Sequence, residues 1–233
     1  MTAEKDFSVF EKNNKLKFKN KKLLQQAFVH RSYLNEHRDF PLDHNERLEF
    51  LGDAVLELIV TEFLFGNYPN PEGELTNWRA SLVNGNMLAK ISKTLGAEEY
   101  LYLSRGEQKD TGKARNYILS NTYEALIGSI YLDKGFDAAR EFVTRTLLPE
   151  LDEILDKKLY MDPKTKFQEE AQERVAATPM YKVLSEEGPD HAKTFEVGVY
   201  LDKELVARGK GSSKQEAQED AARIALELKK WLD

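Results

Sequence analysis

The sequence reads NERLEFLGDAVLE at residues 45–57, where carboxylates interrupt an otherwise apolar helical pattern. Glu46, Glu49 and Asp53 follow i, i+3, i+7 spacing, so one face of a helix would carry all three. Apolar side chains recur with the same period on a neighbouring face: Leu48, Leu51, Val55 and Leu58. The segment therefore predicts a helix that packs against a core and holds a row of carboxylates in place.

A second segment, YILSNTYEALIG at residues 117–128, repeats the design with Asn121 and Glu124 at i, i+3 spacing. Clustered carboxylates repel one another and are costly to desolvate, so they normally require a cation or a proton. Two such helices facing each other would supply four oxygen ligands for Mg²⁺ or Mn²⁺: Glu49, Asp53, Asn121 and Glu124. Each helix taken alone leaves another interpretation open, because polar residues at this spacing usually form a solvated face.

Residues 45–56 resemble the signature of ribonuclease III, and ILSNTYEALIGSIYLD at residues 118–133 resembles the second acidic motif of that family. The spacing between the two motifs also fits. Further matching residues lie upstream and in between: His30, Arg31, Ser32, Glu72, Gly73, Leu75, Thr76, Arg79, Ala80, Leu82 and Val83. The resemblance covers nearly the whole chain and implies an all-α endonuclease domain at the front.

Composition is consistent with a folded protein of one or two domains, since 233 residues with 41% hydrophobic and 10% aromatic content are ample for packed cores. The chain has no cysteine, which excludes a disulfide framework and a thiolate metal site. Its N-terminus is charged from the start, and no apolar run approaches the roughly 18–20 residues that span a bilayer. We expect a soluble, cytoplasmic protein.

Net charge is the one global feature that argues against a nucleic-acid partner, because Lys+Arg 34 against Asp+Glu 40 gives −6. Residues 203–214 nevertheless hold four basic residues against one acidic residue. We therefore expect a local basic patch within an acidic chain. Bulk acidity should weaken nonspecific binding and make it sensitive to salt.

Helical patterns run from about residue 20 to about residue 155, and no convincing period-two strand occurs there. Charge rises at residues 155–163 and the pattern then changes, which indicates a connector with a boundary near Tyr160. The expected domains are residues 1–158 and residues 162–233. The second should contain a helix at 164–176, strands at 180–186, 194–200 and 204–210, and a last helix capped by Ser212 or Ser213.

This α-β-β-β-α order predicts a small α+β domain. With DPKT at residues 162–165 and GKGSSK at residues 209–214, it resembles the double-stranded RNA-binding domain. A lysine-bearing helix N-terminus suits phosphates, so Lys210, Ser213 and Lys214 are candidate contacts. The resemblance implies that further residues contact 2′-hydroxyls in the minor groove: Gln168, Glu169, Gln172 and His191. His191 alone is equally consistent with an ordinary loop histidine. Such domains span about 16 bp and read shape more than sequence.

Other basic positions have weaker support. Residues 104–116 are expected to form an exposed loop, from which Lys113 and Arg115 would touch the RNA backbone beside the cut. Charge that only solubilises the loop explains the pattern equally well. The family pattern usually has more basic residues at the start of the last helix, whereas Lys214 is followed by Gln215 and Glu216. Modest phosphate affinity is therefore expected.

Metal-assisted hydrolysis of double-stranded RNA is the function that the resemblance implies, with Mg²⁺ as cofactor and Mn²⁺ as a substitute. Glu49, Asp53 and Glu124 would be charged ligands, and Asp53 and Glu124 the catalytic ones. The products would have 5′-phosphate and 3′-hydroxyl ends with two-nucleotide 3′ overhangs. Ribosomal RNA precursors and structured messengers would be substrates.

The overhang implies a homodimer, because the two strands need symmetry-related sites. Candidate interface residues lie on the signature helix: Phe50, Leu51 and Leu58. A monomer core would use the same residue types, so both roles stay open. Glu46 would support this interface and Glu72 the rim of the site.

Asn121 departs from the family, which most often has aspartate at this position. An amide oxygen still coordinates Mg²⁺ but supplies no charge, so weaker metal binding is expected. A natural variant and an engineered exchange are both compatible with the sequence. Two alternatives to an active nuclease follow: a double-stranded RNA-binding protein impaired by Asn121, and a structural dimer within a ribonucleoprotein. The retained carboxylates count against the second.

Overall fold

The computed structural model describes residues 5–189 and 193–231, and the chain forms two compact units, Met1–Tyr160 and Met161–Asp233. His191, one of the predicted RNA contacts, lies outside the described residues. Each unit has its own hydrophobic core. The fold class predicted from the sequence, a helical domain followed by an α+β domain, is confirmed.

In the described part of the first unit, all regular secondary structure is helical, apart from an isolated parallel bridge between Val29 and Tyr102. Its α-helices are α1 (Ser8–Asn13), α2 (Lys21–Ala27), α3 (Arg31–Glu36), α4 (Glu46–Asn67), α5 (Glu72–Leu82), α6 (Gly85–Thr94), α7 (Lys113–Lys134), α8 (Phe136–Thr146) and α9 (Glu150–Asp156). Short 3-10 helices at Ala97–Tyr100 and Glu107–Lys109 precede α7.

Helix α7 forms the centre of this unit, because most of its side chains are buried. Leu119, Leu126 and Ile127 are among the residues fully removed from solvent. Two of its buried hydroxyls are satisfied within the helix: Thr122 donates to the Ile118 carbonyl at 2.7 Å and Ser129 to the Leu126 carbonyl at 2.7 Å. Helices α2, α4, α6 and α8 pack against it, which places α7 inside the domain.

Asn45 positions the start of α4. Its side chain is buried and donates to the Ala27 carbonyl at 3.1 Å, while its backbone N–H donates to the Val29 carbonyl at 2.9 Å. These bonds attach the start of α4 to the end of α2. The carboxylates of the first turns of α4 are therefore held at a defined place on the domain.

The second unit has an antiparallel sheet of order β1-β2-β3, formed by Met180–Glu187, Thr194–Leu201 and Glu204–Gly211. Helices α10 (Pro163–Val175) and α11 (Lys214–Lys229) pack with it. Gly209 lets α11 approach β3 closely, because a Cβ there would lie 2.1 Å from the Ala221 backbone nitrogen. Each predicted strand begins where the sequence placed it.

Side-chain caps define both helices of this unit. Asp162 accepts hydrogen bonds from the backbone N–H groups of Lys164 and Thr165, with Pro163 at the first helical position. Ser213 caps α11 by accepting from the Glu216 backbone N–H at 3.1 Å. Of the two serines that the sequence offered, the cap is therefore Ser213.

Among the described residues, no helix is both long enough and apolar enough to cross a membrane.

Candidate active site and nucleic-acid interface

Two glycines bring α4 and α7 into backbone contact. A Cβ on Gly52 would lie 1.8 Å from the Glu124 carbonyl oxygen, and a Cβ on Gly128 would lie 2.2 Å from the Leu48 carbonyl oxygen. Only residues without a side chain permit this approach. Because Asp53 follows Gly52 directly, the carboxylates of the two helices meet beside this crossing.

The electrostatics of these side chains show that they act on one another. Burial, together with the charges of Asp53 and Glu49, raises the pKa of Glu124 to about 8. Burial and the charge of Glu46 raise the pKa of Glu49, and a hydrogen bond from Asn121 opposes that rise. The structure thus brings together the four side chains that the sequence singled out across α4 and α7.

Within the described residues, no group of three or more His, Cys, Asp or Glu side chains is arranged to hold a metal ion. The four interacting side chains are therefore neighbours without a closed coordination geometry. Their chemistry still fits a hard divalent cation, because all can offer oxygen ligands and the carboxylates repel one another. A cation between them would counteract both causes of the raised pKa of Glu124, its burial and the charges of Asp53 and Glu49.

Glu46 and Glu72, the two carboxylates with supporting roles predicted from the sequence, lie in different surroundings. Glu46 lies 3.5 Å from Arg31 and 3.7 Å from His44, and its charge acts on Glu49. Glu72 begins α5, accepts a hydrogen bond from the Thr76 hydroxyl at 3.0 Å and lines a cavity of about 410 Å³. Among the described residues, the charges that act on Glu124 are those of Asp53 and Glu49, without that of Glu72.

The predicted exposed loop at residues 104–116 ends earlier than expected, because α7 already begins at Lys113. Lys113 is exposed in the first turn of the helix. Arg115 is buried: its guanidinium lies 3.2 Å from Glu98 and donates to the Glu107 carbonyl at 2.6 Å. These bonds anchor the segment before α7 and engage the guanidinium that would otherwise contact RNA. The hypothesis of an exposed Arg115 is wrong.

In the second unit, α10 presents a polar face. Gln168, Glu169 and Gln172 are exposed, while Phe167 and Ala171 are buried in the core. Gln168 lines a cavity of about 400 Å³ together with Thr165 and Gln215. Helix α10 and the start of α11 therefore contribute to one continuous surface.

The basic patch expected at residues 203–214 is partly neutralised by carboxylates that sequence reasoning missed. Lys214 lies 3.1 Å from Glu186, and Lys210 lies 3.7 Å from Glu196. Arg208 lies 3.3 Å from the same Glu196. No spacing rule in the sequence signals these pairs, because they depend on strand register and on where α11 meets the sheet.

Two family models match the two units. Residues 20–151 match the model described as ribonuclease-III-like, and residues 163–229 match the double-stranded RNA binding motif. A helical nuclease domain followed by such a motif defines an endoribonuclease that acts on double-stranded RNA.

Relatives named ribonuclease 3 match almost the whole chain. Ribonuclease 3 of Streptococcus gordonii is 45% identical over 91% of this chain and 91% of its own, and that of Nitratiruptor is 43% identical over 97% and 98%. A solved nuclease domain of ribonuclease III from Campylobacter jejuni is 38% identical, with a TM-score of 0.56, and covers 62% of this chain and 99% of that domain. The chain belongs to the ribonuclease III family.

Proposed function

We propose that the chain cleaves double-stranded RNA by metal-assisted phosphodiester hydrolysis at the crossing of α4 and α7. The observation that carries the proposal is the contact of Gly52 with the Glu124 backbone, which brings the carboxylates of the two helices together. Ribonuclease III enzymes generally depend on a divalent metal. When bound, Mg²⁺ or Mn²⁺ would activate a water and stabilise the leaving 3′ oxygen.

Each ligand residue has a separate role in this proposal. Glu49, Asp53 and Glu124 would hold the cation with charged oxygens, and Asp53 and Glu124 would be the catalytic residues. Glu124 would retain a proton near neutral pH until a cation displaces it, because its pKa is raised to about 8. Asn121 would orient Glu49 through its hydrogen bond and add a neutral ligand.

The second unit would bind duplex RNA through minor-groove contacts and phosphate contacts. The minor-groove residues are Gln168, Glu169 and Gln172, and the phosphate contacts are Lys210, Ser213 and Lys214. In the first unit, Lys113 would contact the RNA backbone beside the cut. We assign cleavage to residues 1–158 and duplex binding to residues 162–233. Cytoplasmic processing of ribosomal RNA precursors and structured messengers is the proposed setting.

The proposed products have 5′-phosphate and 3′-hydroxyl ends with two-nucleotide 3′ overhangs. Mapping both strands of an end-labelled duplex after cleavage tests this directly. Staggered cuts whose products accept a ligase without prior phosphorylation are expected. Products that carry a 3′-phosphate or a cyclic phosphate would contradict hydrolysis by a metal-activated water.

Asn121→Asp is expected to lower the Mg²⁺ concentration needed for half-maximal cleavage by about tenfold, because the ligand gains a charge. The measurement is the initial cleavage rate as a function of Mg²⁺ concentration. The exposed Asn67→Asp exchange at the end of α4 serves as the control and should leave the curve unchanged. An unaltered requirement in Asn121→Asp would show that this side chain is not a ligand.

A second candidate function is duplex binding without cleavage, and Asn121 is the feature that favours it. In that case the unaltered chain would retain duplex RNA in Mg²⁺ without cutting it, and Asn121→Asp would restore cutting. The two functions are thus separated by the same pair of proteins.

We also propose a homodimer formed through α4. Phe50 is 82% exposed, Leu58 57% and Phe65 81%, and Phe65 lines the cavity that also contains Glu72. Leu51 is half-buried against the core of its own unit and contributes less to this face. The nuclease domain from Campylobacter jejuni is described with a region involved in dimer formation. An isologous contact would pair these exposed aromatic side chains.

Phe50→Ser is expected to weaken the dimer by about 30-fold or more, because an aromatic side chain at the centre of an interface contributes strongly to binding. Sedimentation velocity across a concentration series measures the dissociation constant. Val9→Ser, which alters an apolar side chain that is 53% exposed on α1, should leave the dimer unchanged. Equal dissociation constants for the two variants would place the interface away from Phe50.

A further inference from the structure

Lys214, the first residue of α11, contacts two side chains of the sheet. The Lys214 ammonium lies 3.1 Å from the Glu186 carboxylate and 5.6 Å from the centre of the Phe195 ring. Glu186 and Phe195 are paired residues of β1 and β2. The strand pair therefore supplies both a carboxylate and an aromatic face to this lysine, which fixes its position.

Lys210 has an equivalent partner. It lies directly opposite Glu196 in the β2–β3 register, and the ammonium is 3.7 Å from that carboxylate. The Arg208 guanidinium lies 3.3 Å from the same carboxylate. The two lysines proposed to meet RNA phosphates are thus each paired with a carboxylate on a β-strand.

A carboxylate and a phosphate compete for the same ammonium, because both offer anionic oxygens as hydrogen-bond acceptors. The pair at the start of α11 is open to this competition, since the side chain of Lys214 is 58% exposed and that of Glu186 39%. Ion pairs with this much exposure contribute little to stability. A phosphate can therefore replace the carboxylate without disturbing the fold.

We propose that Glu186 acts as an internal phosphate mimic, which occupies Lys214 in the free protein and is displaced by duplex RNA. This inference rests on the proposed function of Lys214 as a phosphate contact. Breaking the ion pair of Lys214 with Glu186 costs free energy, so the lysine contributes less to the affinity for duplex RNA than an unpaired lysine would. Duplex binding then depends more heavily on the minor-groove contacts of α10.

The test is the affinity of the full chain for a perfect RNA duplex longer than about 16 bp, measured with chelator to prevent cleavage. Glu186→Gln is expected to tighten binding about 3-fold at low salt, and the gain should shrink as salt rises. Glu204→Gln is the matched control, because Glu204 pairs with Lys229 at 3.4 Å at the other end of α11. It makes the same change in net charge and should alter the affinity less.

Lys214 must mediate the gain. Lys214→Gln alone should weaken binding, and adding Glu186→Gln to it should then give no further gain beyond that of Glu204→Gln. Equal effects of Glu186→Gln and Glu204→Gln, or a gain that persists without Lys214, would overturn the inference while duplex binding itself stands. Failure of the unaltered chain to bind the duplex would refute the proposed function and this inference together. Circular dichroism verifies that every variant is folded.

Discussion

Gly52→Ala is expected to lower the free energy of unfolding by about 2 kcal/mol and to reduce cleavage about 100-fold. The new Cβ would lie 1.8 Å from the Glu124 carbonyl oxygen and 2.9 Å from the Gly128 backbone nitrogen, so α4 and α7 must separate. Backbone atoms cannot rotate away as a flexible side chain can. The separation displaces Glu124 relative to Asp53, and a misplacement of about 1 Å is enough to lose most of the activity.

Urea denaturation and single-turnover cleavage measure the two effects. Gly66→Ala is the matched control, because Gly66 lies on the same helix and a Cβ there would meet nothing within 4 Å. Alanine is the better helix former, so this control should be neutral or stabilising by up to about 1 kcal/mol. If Gly52→Ala behaved like Gly66→Ala, the close crossing of α4 and α7 would be refuted.

Glu124→Gln is expected to reduce cleavage by about 1,000-fold and, in the metal-free protein, to increase stability at alkaline pH. The pKa of Glu124 is raised from 4.5 to about 8 by burial and by Asp53 and Glu49. A carboxyl with a raised pKa favours the folded state at low pH, and this contribution is lost as pH rises through the folded pKa. Glutamine removes the loss, which is about 2 kcal/mol near pH 9 after allowance for solvent screening.

Thermal unfolding in chelator at several pH values measures the stability effect. The variant should melt about 4–8 °C above the unaltered chain near pH 9, and the difference should shrink towards pH 5. Added Mg²⁺ should stabilise the unaltered chain more than the variant, because ligand binding stabilises the folded state. Glu62→Gln is the control: Glu62 is an exposed residue of α4 that lies 3.5 Å from Arg140. A pH-independent difference would show that Glu124 is not a buried carboxyl among like charges.

Periodicity explains what the sequence predicted well. The apolar positions of α4 and α7 recur at helical spacing, so their helical state and the side on which Glu49, Asp53 and Glu124 lie follow from local chemistry. The strands of the second unit begin at Met180, Thr194 and Glu204 as predicted, because turn residues separate short runs of β-formers.

The sequence predicted that the two acidic helices face each other, but it did not predict the individual tertiary contacts that follow. Arg115 resembles a surface charge in sequence, yet its partners Glu98 and Glu107 lie on separate 3-10 helices that only the fold brings to it. Gly52 occurs mid-helix, which signals a close approach, but its partner on α7 cannot be read from a single sequence. Strand register determines which carboxylates lie beside Lys210 and Lys214, and register has no short-range signature in the sequence.

Cleavage of a long, perfect RNA duplex by the purified chain, compared in Mg²⁺, in Mn²⁺ and in chelator, tests the central claim most directly. We expect cutting to short duplexes in either metal, no cutting in chelator, and cutting about 1,000-fold slower by Glu124→Gln. This result would establish a nuclease that tolerates Asn121. Tight duplex binding without cutting in either metal would contradict the claim and leave a double-stranded RNA-binding protein.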